Sequence, residues 1–157
     1  MRLFDFNPST SLLNSILAYQ KHALSNSILS NFFKKKASLN YRFWSILTAS
    51  DISKYASISP DLQLPHPNGV VIHQDVIIGR GCMIMQQVTI GQLADGKVPV
   101  IGNGVYIGAG AKLLGGIAIG DHAVIGANAV VLIDVPAGKT AVGIPAKIVV
   151  KSSNLVK

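Results

Sequence analysis

From Ile72 to Val135 the chain returns an apolar residue every six positions, a period that belongs to neither a helix nor a flat strand. Branched anchors stand at Ile72, Ile78, Ile84 and Ile90, then, after an interruption, at Ile101, Ile107, Leu113, Ile119, Ile125 and Val131. Four positions after an anchor comes a second, often smaller apolar residue: Val76, Cys82, Val88, Val105, Ala111, Ile117, Ala123, Ala129 and Val135. An amphipathic helix needs apolar residues near i+3, i+4 and i+7, and a half-buried strand alternates strictly, so neither template fits. A unit this short cannot bury its own apolar face and must stack on the next one. Three units close a triangular coil of about eighteen residues with a short parallel strand on each side. The predicted class is therefore β, a left-handed parallel β-helix built from hexapeptide repeats. Glycine follows the anchor at Gly79, Gly91, Gly102, Gly108, Gly120 and Gly126, where a tight corner is expected to require both an unusual φ and close packing.

Ahead of the solenoid the spacing becomes helical. Leu12, Ile16, Tyr19 and Ala23 form one stretch, Ile28, Leu29, Phe32 and Phe33 a second, and Leu39, Phe43 and Ile46 a third. Asn7 followed by Pro8 reads as a helix start. Such helices would cap the first coil, whose bare end invites pairing with other chains. Ile52, Ile58 and Leu64 already keep the six-residue step. The expected division is a helical cap over residues 1–50, a β-helix over 51–149 and a polar tail over 150–157. The register slips by two residues across 66–69. It slips again between Ile90 and Ile101, read as eleven residues in place of twelve, with 92–99 expelled as a loop. Coils supply rigidity, so chemistry is expected at these breaks. Beyond Val135, residues 136–139 turn the chain out and 143–148 close it.

At 157 residues and 49% apolar composition the chain is one compact unit. Its single cysteine, Cys82, occupies an inward repeat position and reads as a small buried hydrophobe, not a nucleophile. With no intramolecular disulfide, no secretory leader and no run of apolar residues long enough to span a bilayer, the expected location is cytoplasmic. The net charge of +7 is uneven: seven basic and two acidic residues up to Lys54, seven basic and five acidic after it. Lys34, Lys35 and Lys36 form the densest run. It reads first as a solvated helix end and second as a contact for an anionic membrane surface or a phosphorylated ligand. Membrane contact is at most peripheral, and nothing marks a nucleic-acid module.

Within the first break His66 carries the only side chain suited to general-base work near neutral pH. Asp51 lies fifteen residues earlier, a little less than one coil, and a carboxylate there would reach the imidazole from the neighbouring turn, fixing its tautomer. The plainer alternatives are a turn histidine and a strand-capping aspartate. Spacing alone leaves both open. His73 and His122 read as exposed surface residues. No Walker loop is present, and Gly102-Asn103-Gly104 lacks the third glycine of a dinucleotide site.

Five segments carry a resemblance: Asp51-Ile52; His66 with Gly69-Val70-Val71-Ile72; Gln87-Val88-Thr89-Ile90-Gly91; Ile107-Gly108-Ala109-Gly110-Ala111-Lys112; and Gly143-Ile144-Pro145-Ala146-Lys147. Together they resemble the hexapeptide-repeat acyltransferases, and within them the serine acetyltransferase branch, from about Asp51 to Val149. The resemblance implies acetyl-CoA as co-substrate, no metal, a His66–Asp51 catalytic pair, and a homotrimer or dimer of trimers. It places coenzyme A in a groove between neighbouring solenoids, which maps onto Gly91, Ala109, Ala127 and Pro145-Ala146-Lys147, with Lys112 or Lys147 near phosphate.

Four departures set the chain apart from the family, the first two of them at the acceptor. The family carries an acidic residue before the catalytic histidine, where this chain has Pro65. The family's Arg-His pair, which grips the amino-acid substrate, falls at Lys97-Val98, leaving Lys97 as the acceptor-binding candidate without the bidentate fork of arginine. The family's C-terminal isoleucine is not matched by Leu155-Val156-Lys157, and the helical region is short. An altered pocket beside an intact acetyl-CoA apparatus favours a sugar hydroxyl of a surface polysaccharide or its precursor as acceptor, ahead of L-serine.

Rival classes fit less well. His66, His73 and His122 lack the close pair of the γ-type carbonic anhydrases, and Thr89 is the only threonine between Asp51 and Val135, which removes the repeated threonine face of an ice-binding solenoid. A catalytically inactive scaffold stays open.

Overall fold

The computed structural model describes residues 7–23, 25 and 27–149, as two helices followed by a parallel β-solenoid. Helix α1 (Pro8–Ala23) begins where Asn7 Oδ1 accepts the Thr10 amide at 3.1 Å, so the Asn-Pro start is correct. Helix α2 (Ile28–Thr48) joins the two later apolar stretches into one. Ser27 Oγ caps it by accepting the Ser30 amide at 3.1 Å, and Ala49, in the left-handed region at φ 50°, ends it. The expected polar tail, 150–157, lies outside the described residues.

The solenoid has three faces. One stacks β1 (Asp51–Ile52), β3 (Val71–Ile72), β6 (Thr89–Gly91), β9 (Lys112–Leu114) and β12 (Val130–Val131). The second stacks β2 (Ser57–Ile58), β4 (Ile77–Ile78), β7 (Val100–Ile101) and β10 (Ala118–Ile119). The third stacks β5 (Met83–Ile84), β8 (Tyr106–Ile107), β11 (Val124–Ile125) and β13 (Thr140–Gly143), to which β14 (Ala146–Val149) adds in antiparallel register. All other pairings are parallel, and they align anchor on anchor: Ile52 with Ile72, Ile72 with Ile90, Ile90 with Leu113, Leu113 with Val131. Every one of these anchors is buried, so the six-residue period is the core itself.

Two expectations about the repeat need correction. The glycines after the anchors do not adopt positive φ; all but Gly91 are there for close approach. A Cβ on Gly102 would lie 2.4 Å from Asp121 Oδ1 and 2.9 Å from the Asp121 amide, and one on Gly108 would lie 2.6 Å from the Ala127 amide. The left-handed corners fall instead three positions after anchors, among them Gly81, Gln87, Gly104, Gly110, His122 and Asn128. The second break was also miscounted. Register pairs Ile78 with Ile101 across 23 residues and Ile101 with Ile119 across 18, so a single six-residue step has gained five residues and become eleven. The first break adds two, since Ile52 pairs with Ile72 across 20.

The helices meet the first coil unequally. Leu12, Leu13 and Ile16 of α1 enter the same core as Ile52 and Ile58, and Gln20 Nε2 donates to the carbonyls of Lys54 at 3.0 Å and Ala56 at 2.8 Å. Helix α2 buries Ser30, Ala37, Trp44 and Thr48, while Ile28, Leu29, Phe32, Leu39, Phe43 and Ile46 face outward. The helices do cover the first coil, through α1 and the Trp44 side of α2, while the apolar residues on the other face of α2 do not pack on the solenoid. Trp44 of α2 enters the same core and Tyr41 packs against it, so α2 meets the first coil through these rings beside the cover that α1 supplies.

Candidate active site

The two-residue insertion makes the loop that carries His66, and backbone groups clamp it from both sides. The Gly69 amide donates to the Thr48 carbonyl at 3.0 Å, the Val70 amide to Ser50 Oγ at 3.3 Å, and the Ser50 hydroxyl to the Pro67 carbonyl. On the far side the Gln87 amide donates to the Asn68 carbonyl at 2.9 Å. The exposed His66 lines a cleft of about 910 Å³ with Ser9, Thr10, Ser11 and Asn14 of α1. The wall is hydroxyls and amides, a surface that offers hydrogen bonds to a polar acceptor.

Ser50 and Pro67, the neighbours of Asp51 and His66, touch, yet among the described residues no hydrogen bond or ion pair joins Asp51 to His66. Asp51 lines a second cleft, of about 370 Å³, with Tyr41, Lys54, Tyr55, His73 and Gly91. Burial pushes the Tyr41 phenol up, a hydrogen bond to Ser45 partly offsets this, and the Asp51 carboxylate beside it adds to the rise. Lys54 is drawn back to the helices, its Nζ donating to Ser38 Oγ at 3.0 Å and lying 4.3 Å from the centre of the Tyr19 ring.

His73 was missed as a member of this cleft. It is half-buried, not exposed, because it follows Ile72, the register partner of Ile52, and so stands beside Ser53 and Gly91. Its Nδ1 accepts the Asp75 amide at 3.3 Å, 3.6 Å from Asp75 Oδ2. The signal was the register: a slip of two residues across 66–69 already sets His73 level with Ser53 on the neighbouring coil. His122 is exposed, at a left-handed corner, φ 57°. Cys82 is fully buried, burial raises its thiol, and its Sγ donates to the Gly102 carbonyl at 3.1 Å, as a packed hydrophobe should.

The expected coenzyme groove divides between two edges. Ala109 and Ala127 stack on one corner, where the Asn128 amide donates to the Ala109 carbonyl at 2.8 Å. Lys112 reaches the same edge, its Nζ donating to the Gln87 carbonyl at 2.7 Å. The strands β13 and β14, carrying Ala146 and Lys147 just after Pro145, abut this edge, with Val142 of β13 against Gly126. Gly91 sits elsewhere, beside Asp51 and His73. Lys97 lies in neither cleft. Its loop folds back over Gly115 and Gly116, where a Cβ would meet Leu93 at 2.9 Å and Lys97 at 2.8 Å, and it borders a third cleft with Asp134.

Comparison with known proteins gives this geometry a family. A model described as bacterial transferase hexapeptide (six repeats) matches residues 99–132. A serine acetyltransferase of Synechococcus elongatus is 41% identical over 110 residues, covering 68% of this chain and 45% of that protein. A serine acetyltransferase solved in complex with CoA superposes with a TM-score of 0.70 at 37% identity, over 86% of this chain and 55% of that one. Soybean serine acetyltransferase, solved without ligand, superposes with a TM-score of 0.67 at 32% identity, over 88% of this chain and 69% of that one. The chain thus spans about half the length of the cyanobacterial relative. The repeat and the solenoid fold agree with these matches, and the chain belongs to the hexapeptide-repeat transferases of the serine acetyltransferase family.

Proposed function

We propose that the chain is an acetyl-CoA-dependent O-acetyltransferase and that its acceptor is the hydroxyl of L-serine. The observation that carries this is the 41% identity to a serine acetyltransferase across two thirds of the chain, seconded by likeness to a structure holding CoA. It reverses the order expected from the sequence, which put a sugar hydroxyl first.

In the proposed chemistry acetyl-CoA supplies an activated thioester carbonyl. His66 takes the acceptor hydroxyl proton as the oxygen attacks that carbonyl, then returns it to the departing sulfur, so that ester and free thiol form together. Asp51 is the carboxylate assigned to support the imidazolium, and catalytic hydrogen bonds in unliganded proteins are commonly long. Ala109, Lys112, Ala127 and residues 145–147 form the coenzyme edge, with Lys112 or Lys147 near its phosphates. Because His66, Lys97 and that edge lie in separate places on one chain, a complete site calls for neighbouring solenoids, which supports a homotrimer. A cytoplasmic location accords with the single buried thiol.

A second acceptor has specific residues in its favour. Pro65 and Lys97-Val98 replace the charged groups the family uses on free serine, and the hydroxyl-lined cleft beside His66 suits a sugar. Release of free thiol from acetyl-CoA, measured with L-serine in parallel with sugars, nucleotide sugars and oligosaccharides, decides between them. Turnover with serine alone confirms the first acceptor, turnover with a saccharide alone installs the second, and no acceptor-dependent release refutes transferase activity.

A further inference from the structure

The outward face of α2 has the composition of a core and the exposure of a surface. Ile28 is 92% exposed, Leu39 73%, Ile46 79%, and Phe32 and Phe43 61% and 57%. On a helical projection these five fall within about 60° of one another, opposite the Ser30, Ala37, Trp44 and Thr48 positions packed inward. They run the length of a 21-residue helix, roughly 32 Å at 1.5 Å per residue. Scattered exposed leucines need no explanation, whereas a continuous stripe this long does. Phe33 and His22, stacked at 5.1 Å, extend it into the groove between the helices.

Charge says what covers the stripe. From Pro8 to Thr48 the two helices hold Lys21, Lys34, Lys35, Lys36 and Arg42, and not one aspartate or glutamate. Lys35 and Arg42 border the stripe on one side and Lys36 on the other, where their stems can lie along apolar surface while the charged heads reach outward. A second copy laid on this face would bring the same cations against each other with no carboxylate to pair them. An anionic bilayer complements both features at once, apolar side chains entering the headgroup boundary and cations meeting lipid phosphates. Among the described residues no helix is long and apolar enough to cross a membrane, which leaves a surface-lying mode.

We infer that α2 is a membrane-surface docking element that lays its Phe32, Leu39, Phe43 and Ile46 face on anionic lipid. The inference is independent of the acceptor and of the catalytic reading. Co-sedimentation of the full chain with vesicles of phosphatidylcholine alone and with added phosphatidylglycerol tests it. Binding to the anionic vesicles only, weakened by salt, is expected. The triple substitution Phe32→Ser, Leu39→Ser, Phe43→Ser should reduce it by about tenfold or more, and Lys35→Glu with Lys36→Glu by a similar factor. The melting temperature of each variant, which should stay near that of the parent because all five side chains are exposed, separates lost docking from lost folding. No binding to anionic vesicles at low salt overturns the inference. So does binding that ignores both sets of substitutions, or a parent assembly that loses mass in the triple variant without ever binding vesicles, which would assign the face to a second copy.

Discussion

The solenoid and helix α2 use similar side chains to opposite ends. Ile107 and Leu113 are fully buried, each anchored between identical positions of adjacent coils, whereas Leu39 and Ile46 on α2 stand almost free of the protein. The solenoid must turn its apolar residues inward because no coil is stable alone. A helix satisfies its own backbone, so its apolar face is free to serve something outside the fold. Periodicity therefore identifies which residues share a face and leaves open where a helical face points.

Stability measurements should expose this difference most strongly. Ile107→Ala leaves a cavity in a ladder that cannot collapse, and should cost about 2–5 kcal/mol by urea denaturation. Leu39→Ala should change stability by less than about 0.5 kcal/mol. Near-equal losses at the two positions would mean α2 is packed.

The glycines divide in the same way. Gly102→Ala places a methyl group against the Asp121 side chain and backbone and should destabilise by about 1–3 kcal/mol. Gly91→Ala meets nothing closer than Leu114 Cδ2 at 4.0 Å, so its melting temperature should hold. Any loss of activity in that variant then reports on the cleft it shares with Asp51. At the junction of helices and solenoid, Ser50→Ala removes the hydroxyl that clamps Pro67 and Val70. It should cost about 1–2 kcal/mol in melting experiments and lower turnover more than a remote substitution of equal destabilisation.

The smallest effect is one of pH. Hydrogen bonds from the Asn103 amide and side chain hold the Asp121 carboxyl below its usual range. A depressed carboxyl stabilises the fold above its unfolded value, and that stabilisation fades as pH falls through the lower, folded value. Asp121→Asn should therefore lower the melting temperature slightly at neutral pH, where the charged carboxylate contributes, and leave it nearly unchanged in acid, flattening the acid side of the melting profile.

These residues also show what could be read in advance. The anchors, the buried Cys82, the Asn7-Pro8 helix start and the loop bearing His66 follow from spacing and local chemistry alone. The length of the second break did not, because eleven residues fit both two steps shortened by one and one step lengthened by five, and only strand register separates them. His73 escaped for a different reason: the first break was read at its right length, but the position after an anchor looks like an exposed corner until the cleft that Tyr41 and Asp51 form beside it is seen. Tyr41 beside Asp51 comes from a helix packed on the first coil, a tertiary contact that no repeat encodes. The face of α2 misled because apolar spacing is identical whether the partner is the chain's own core or an external surface.

Asp51 shares its cleft with His73 and not with His66, so the identity of the base is the point on which the account most depends. Acceptor-dependent thiol release from acetyl-CoA, measured for the parent chain, His66→Ala and His73→Ala at matched folding, tests it most directly. The account predicts a loss of about 100-fold or more in His66→Ala, with His73→Ala retaining most of its turnover. Full activity in His66→Ala, with the loss transferred to His73→Ala, would contradict it.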